Sequence, residues 1–371
     1  MRAAVELTML TDGGQPATRV AAEIASFLNE ARTTLDLALY DVRLETEAGA
    51  LVLASLLAAH QRGVRVRLLY NVDHPGPIPV PPPPETRPEA IEALPVDTRG
   101  IAGIPDLMHH KFCVRDGRDT WTGSMNWTED SWTRQENVVV RVLGAERLAL
   151  AFTLAFGELW ERGVVEGTGT VEPRPVELDG GVTVRPWFTP GHGEALSHRI
   201  AKHIGRARER VRIASPVLTA GPILGTLVEV VKERRCAVTG VLDDTQSDDV
   251  FRQWSRNGVS AWKIPLLDTI VTTGVFSGKP STPWAPGGVQ DFMHAKVVVA
   301  DDVSFVGSFN LSRSGERNAE NVLEIHDRRT ADTLSRYVDD VRARYPPATP
   351  PLERAGASVA GVRSPAQNPE P

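Results

Sequence analysis

A duplicated α/β architecture follows from three features of the 371-residue sequence. Hydrophobic residues make up 41% and charged residues 24%, the balance of a globular chain with a core to bury. At roughly 100–200 residues per domain, the length accommodates two units. Most tellingly, one segment occurs twice. MHHKFCVRDGRDTWTGSMNWTEDSWTRQENVVV surrounds His109, and MHAKVVVADDVSFVGSFNLSRSGERNAENVLEI surrounds His294. His109 and His294, Lys111 and Lys296, and Asp116 and Asp301 are each 185 residues apart, while Asn126/Asn310 and Glu136/Glu320 are 184 apart. A period of that size is a duplicated domain and not a solenoid repeat.

The elements follow in the same order in each copy. An amphipathic helix comes first (RVAAEIASFLNEAR; SHRIAKHIGRARER), with apolar residues returning at helical spacing. A strand follows (TLDLALYDV; RVRIASPVL), then a second helix (ALVLASLLAAHQRG; ILGTLVEVVKERR) and another strand (VRVRLLYNV; CAVTGVLDD). A long irregular loop leads to the histidine strand, a turn and the strand carrying Gly-Ser. Strands alternating with helices predict a largely parallel, helix-covered sheet in each half. The first long loop contains PGPIPVPPPP, expected to be extended and outside any sheet interior. The expected divisions are residues 1–165 for the first half, 166–182 for a connection, 183–345 for the second half, and 346–371 for a disordered Pro-rich tail.

Composition narrows the function. With 41 Lys+Arg against 47 Asp+Glu the net charge is −6, which excludes a uniformly basic nucleic-acid coat but not a local basic groove. Two cysteines, Cys113 and Cys236, without a CxxC or Cys/His cluster, suggest neither a disulfide scaffold nor a zinc site. The start lacks the features of a secretory signal, and no run reaches about 18 apolar residues. The expectation is a cytoplasmic protein without an integral membrane segment.

The repeated segment carries the chemistry. On a strand, residues two apart share a face, so His109 points with Lys111 and His294 with Lys296. Ser124 pairs in the same way with Asn126, and Ser308 with Asn310. Two such halves meeting would supply two imidazoles, two ammonium groups and four neutral donors around one small anion. That inventory suits phosphodiester cleavage in two displacements. One neutral imidazole attacks phosphorus, the other protonates the leaving oxygen, and the lysines with the Ser and Asn groups hold the charge on the phosphoryl oxygens. No metal and no cofactor is required. Each histidine needs a partner on its second ring nitrogen, and Glu136 and Glu320 are the candidates. Asp116 and Asp301 lie seven residues after their histidines, off the His/Lys face, and read as turn or ion-pair residues of indirect catalytic importance. His110 and Cys113 read as core residues. The Arg199–Arg210 stripe reads as a solvated face, and Arg65 and Arg67 could face a groove.

H-x-K-x4-D followed by G-S-x-N, twice in one chain, resembles the phospholipase D superfamily, the HKD phosphodiesterases. The likeness is carried by His109, Lys111, Asp116, Gly123, Ser124 and Asn126 and by His294, Lys296, Asp301, Gly307, Ser308 and Asn310, and covers roughly residues 15–345. It implies a duplicated α/β/α sandwich of two pseudo-twofold-related halves with one shared active site, so that a monomer can complete the site. It further implies His109 as nucleophile, forming a phosphohistidine, and His294 as acid/base.

The substrate is then a phosphodiester, expected to be nucleic acid rather than phospholipid. TGSMNWT…QEN and VGSFNLS…NAEN resemble the bacterial nuclease-like branch, whereas cardiolipin synthases more often carry other residues at Gly-Ser and have N-terminal membrane helices. Against this stands KIPLLDTIVTTGVFSGKPSTPW, residues 263–284, whose apolar residues could line an acyl pocket, form a lid or make a peripheral membrane contact.

Overall fold

The computed structural model describes residues 3–76 and 80–353. Pro77–Pro79 of the proline-rich stretch and residues 354–371 lie outside the described residues. The first half runs β1 (Ala4–Leu10), α1 (Ala17–Asn29), β2 (Thr34–Leu39), α2 (Glu47–Gln61), β3 (Arg65–Asn71), α3 (Pro88–Glu92), β4 (Asp97–Ile101), β5 (Lys111–Arg115), β6 (Asp119–Gly123), α4 (Glu129–Thr133), β7 (Asn137–Leu143) and α5 (Glu146–Arg162). The second half runs β8 (Val176–Glu177), β9 (Thr183–Phe188), α6 (Gly193–Arg206), β10 (Arg210–Ser215), α7 (Gly221–Lys232), β11 (Ala237–Asp243), α8 (Asp244–Asn257), α9 (Ile264–Thr273), β12 (Val275–Lys279), β13 (Val297–Ala300), β14 (Val303–Gly307), α10 (Arg313–Arg317), β15 (Asn321–His326) and α11 (Arg328–Ala343).

The strands form two sheets of matching order. The first is β1-β7-β6-β5-β2-β3-β4 and the second β8-β9-β15-β14-β13-β10-β11-β12. The expectation of largely parallel sheets is corrected. Only β2–β3–β4 and β10–β11–β12 pair in parallel; every other neighbour is antiparallel. The reason lies in the motif itself. After β5 the chain turns through Asp116 (φ 54) and Gly117 (φ 60), and after β13 it turns at Asp301 (φ 52). Positive φ at such positions closes a tight hairpin, which makes the following strand antiparallel. The edge strands β1, β4 and β12 were not anticipated, because a short edge strand carries little periodicity of its own.

The helices bury what their spacing predicts. α1 turns Val20, Ala21, Ile24, Ala25, Phe27 and Leu28 inward. With α2 it covers one face of the first sheet, where Leu35, Leu37 and Leu39 of β2 meet it. Apolar residues of α5 and α11 share one core with both sheets, including Phe152, Phe156, Leu334 and Val338, so the halves are joined by a common apolar centre. α9 buries Leu267, Ile270 and Val271 in the second-half core, with Phe276 of β12 beside them and Ile264 and Leu266 packed against it. These apolar residues of 263–284 therefore pack in or against the core, and line no acyl pocket. The expected disorder from Pro346 is corrected for its first residues. Ala348 donates its N–H to Phe276 O at 3.0 Å, and Gly278 N–H donates to Pro346 O at 2.9 Å, so residues 346–348 lie along β12.

Candidate active site

The segments ahead of β5 and β13 bring the two histidines to the seam between the sheets. Each is pinned by a backbone bond to the other half: His109 N–H donates to Ala319 O at 2.9 Å, and His294 N–H donates to Glu136 O at 3.1 Å. The residue before each is held as well. Met108 N–H donates to Asn71 Oδ1 at 2.9 Å, and Met293 N–H donates to Asp243 Oδ2 at 2.9 Å. Asn71 and Asp243 end the equivalent strands β3 and β11, so one device is used twice.

Both imidazoles line one small polar cavity with Tyr40, Asp41, Asn126, Pro81–Pro83, Gln290 and Phe292. The proline-rich stretch is thus a wall of the site. The Tyr40 hydroxyl donates to Pro82 O at 2.8 Å and fixes it there.

The sequence expected the two glutamates to hold the two histidines, and the structure does this for one. Glu320 places both carboxylate oxygens 2.8 Å from His109 Nδ1. The opposite ring nitrogen, Nε2, is buried without a hydrogen-bond partner among the described residues. Glu136 does not hold His294. Its carboxylate is taken by Lys279 Nζ at 2.8 Å, by the Tyr345 hydroxyl and by the N–H of Asp12 at 3.3 Å. His294 Nδ1 instead meets Asn137 Oδ1 at 3.1 Å, and the Ser124 hydroxyl donates to that same oxygen at 2.7 Å. The amide nitrogen of Asn137 donates to Ser131 O at 3.0 Å, which fixes which end of the amide faces the histidine. Asn321, the counterpart of Asn137, accepts from the noncatalytic neighbour His110 with Oδ1 at 3.2 Å.

The lysines lie behind the histidines. Lys111 Nζ donates to His109 O at 2.8 Å and sits 4.7 Å over the Tyr40 ring. Lys296 Nζ donates to His294 O at 2.6 Å. Burial pulls the Lys111 ammonium down to about 7, opposed by Glu320 and Asp41. Burial likewise takes Lys296 well below its ordinary range, with Lys111 adding to the effect. Both histidines are held well below the usual imidazole range, first by burial and then by the two lysines. Burial raises the Glu320 carboxyl to about 8 against the pull of Lys111. The centre therefore disfavours charge on its imidazoles, and a phosphate anion beside them would favour it.

The remaining motif residues divide. Asn126 and Asn310 are buried with their Oδ1 atoms unpartnered, beside cavities. Ser124 and Ser308 are corrected as substrate ligands. Their hydroxyls accept the N–H of Val138 and of Asn321, each at 3.0 Å, and so anchor the strands β7 and β15. Gly123 is required next to them. Its φ is +142°, and a Cβ there would lie 2.1 Å from Val138 O. The Thr128 and Ser312 hydroxyls that follow each GSxN accept N–H groups of Ser131 and Gly315, capping α4 and α10. Asp116 and Asp301 are the turn residues that their spacing predicts, about 20 Å along their strands from the histidines and away from the reacting atoms. Asp116 accepts the N–H groups of Arg32, Thr33 and Thr34, and Asp301 those of Arg208, Glu209 and Arg210. Burial raises both carboxyls, but these backbone bonds outweigh it and hold them below the usual range.

Other expectations sort the same way. His110 and Cys113 are buried in the core. Arg67 forms an ion pair with Asp36 at 2.8 Å and stacks on Phe156, so it faces no groove. Arg199 bonds Glu324 at 2.5 Å instead of being merely solvated. Sequence reasoning missed Tyr40, Asp41, Asn71, Asn137, Asp243, Lys279 and Tyr345. Only Asn137 carried a usable signal, since it stands beside Glu136 in the repeated Glu-Asn pair.

Comparisons with known proteins agree with this geometry. The family described as cardiolipin synthase, PLD-like domain matches residues 24–160 and 200–342, both copies and more than half of the chain. The mitochondrial cardiolipin hydrolase of Homo sapiens is 30% identical over 140 residues, covering 36% of this chain and 47% of that protein. That of Chlamydomonas reinhardtii is 30% identical over 139 residues, covering 36% and 55%. The chain thus spans about half the length of the curated relatives it matches. The structure of phosphatidylserine synthase from Haemophilus influenzae superposes with a TM-score of 0.64 at 14% identity, covering 97% of this chain and 96% of that one, a likeness of fold.

Proposed function

Because the chain belongs to the phospholipase D-like family, and so is a phosphodiesterase, we propose that it hydrolyses glycerophospholipids through a phosphohistidine on His109. Neutral His109, its Nδ1–H donating to Glu320, attacks phosphorus with Nε2. The P–N bond forms as the ester P–O bond opposite breaks, and His294 gives its proton to the departing oxygen. His294 then takes a proton from water, which attacks phosphorus and releases His109. Lys111 and Lys296, with the Asn126 and Asn310 amides, balance charge on the phosphoryl oxygens.

The observation that supports the lipid reading is a set of exposed apolar residues next in the chain to residues that line the reaction cavity and the clefts beside it. Ile104, Val259, Trp262 and Val289 are 58%, 81%, 55% and 54% exposed, and each precedes a residue lining the reaction cavity or the clefts beside it. Large exposed apolar residues near these polar openings suit a membrane surface, where acyl chains stay in the bilayer and only the head group enters. The names of the curated relatives support the same class. This reverses the order of substrates expected from sequence, whose main argument against lipid was the residue pattern after GSxN. Those Thr and Ser residues are helix caps and say nothing of substrate. The nucleic-acid reading is kept by one observation, the cations Lys263, Arg313 and Arg317 lining a cleft next to the site. Among the described residues no helix is long and apolar enough to cross a membrane.

The test is hydrolysis in EDTA of phosphatidylglycerol or cardiolipin vesicles against single-stranded DNA. Phosphatidic acid should form in the vesicles, with glycerol released from phosphatidylglycerol; cleavage of DNA alone would reverse the assignment. The pH profile follows from the histidines. Protonating His109 removes the nucleophile, and its lowered pKa keeps it neutral below the usual value of about 6.5. The acid limb of kcat/KM should therefore reach half-maximum clearly below pH 6.5; a midpoint at or above that value would contradict the buried neutral imidazole.

A further inference from the structure

Beside the reaction cavity lies a polar cleft of about 240 Å³. Pro81 lines both, and Asn310 of the second motif lines the cleft, so the two spaces are neighbours. The cleft gathers three cations, Lys263, Arg313 and Arg317, against one carboxylate, Asp106. Asp106 lies 3.4 Å from Arg317 and so neutralises that guanidinium only. Lys263 is 9% exposed, and among the described residues it makes no ion pair. Its ammonium donates to Thr219 O at 2.9 Å and lies 5.6 Å from the ring centres of both Trp254 and Trp262. Arg313 is exposed and likewise has no carboxylate partner among the described residues. Burial lowers the Lys263 pKa and Arg313 lowers it further, with Glu316 opposing them. A buried ammonium with no anion of its own is costly to keep. In an acidic protein, the placement of such a group on a cleft floor beside a phosphodiester centre calls for an anionic ligand.

We propose that this cleft binds a second phosphate of the substrate, joined by a short spacer to the phosphate being cleaved. The inference rests on the reading of the neighbouring site as a phosphodiester centre and adds a specificity determinant to it. Lys263 supplies the buried charge, Arg313 a guanidinium able to grip two oxygens, and the Asn310 amide of the cleft lining a neutral donor. Two sources offer this chemistry: a glycerophospholipid with two phosphates, and the neighbouring phosphate of a nucleic-acid strand.

Calorimetry on the full chain with glycerol 1,3-bisphosphate and glycerol 3-phosphate tests the cleft without depending on turnover. The bisphosphate should bind about tenfold tighter, the gain expected of one charge-assisted contact. Lys263→Met should bring the ratio to twofold or less. Arg313→Gln, an exposed change that leaves the core untouched, should lower it at least threefold. A wild-type ratio near one, or an unchanged ratio in both variants, would overturn the proposal. Initial rates then assign the source. Preference for cardiolipin over phosphatidylglycerol that disappears in the variants places the second phosphate on a lipid. Preference for a trinucleotide over a dinucleoside monophosphate that disappears likewise places it on a strand. If neither class is cleaved while the bisphosphate ratio holds, the lipid reading falls and the cleft assignment stands.

Discussion

His109→Ala lowers phosphodiester hydrolysis by at least about 10⁴-fold, the scale on which removal of a covalent nucleophile acts in enzymes that divide a displacement in two. The geometry explains why no neighbour replaces it. Of the two site histidines, only His109 has a carboxylate behind its ring, with both Glu320 oxygens at 2.8 Å, and its Nε2 has no partner among the described residues. His294 leans on the neutral amide of Asn137, which stabilises an imidazolium less and so favours giving up a proton. Acid-free quench of a single turnover with labelled substrate should place phosphorus on His109. His294→Ala should slow the hydrolysis of that intermediate and let it accumulate. Label on His294, or residual His109→Ala activity above about 1% of wild type, would reverse the two roles.

Lys279→Met destabilises the fold by about 3–5 kcal/mol, although Lys279 belongs to no recognised motif. Its ammonium is 3% exposed and contacts Glu136 Oε2 at 2.8 Å, Asp12 Oδ2 at 3.2 Å and Arg134 O at 3.1 Å. Removing it strands the fully buried Glu136 carboxylate at the seam, left among the described residues with the Tyr345 hydroxyl and the Asp12 N–H. Urea unfolding monitored by fluorescence measures the loss. The double variant Lys279→Met/Glu136→Gln should recover most of it, since the charge and its partner leave together. Equal losses in the single and double variants would show that the pair contributes no coupling.

The two predictions mark what the sequence could and could not reveal. His109, Lys111, His294 and Lys296 were legible because strand parity fixes which side chains project together, and because the copy at 185 residues removed chance. The helices α1, α2, α6 and α7 were legible from apolar spacing. The partner of His294 was not. Symmetry nominated Glu136, but Lys279 and Tyr345 reach it from 143 and 209 residues away, and no local pattern announces such contacts. Ser124 and Ser308 have the right parity for a ligand, yet the strand ends at the preceding glycine and turns them onto the backbone of the next strand. The Pro81–Pro83 wall was hidden for a related reason. Proline content predicts an extended loop, whereas its position over the site depends on the Tyr40 hydroxyl.

The unequal support of the two histidines gives the reaction centre a polarity. Any phosphodiester has two ester bonds that differ only in which carbon lies beyond the oxygen. A symmetric pair of imidazoles could break either. Under the proposed assignment of His109 as nucleophile, the group expelled is the one lying toward His294, and the other remains attached to phosphorus. On that assignment the difference between the two copies becomes regiochemistry: which alcohol leaves is decided by how the substrate lies across the seam.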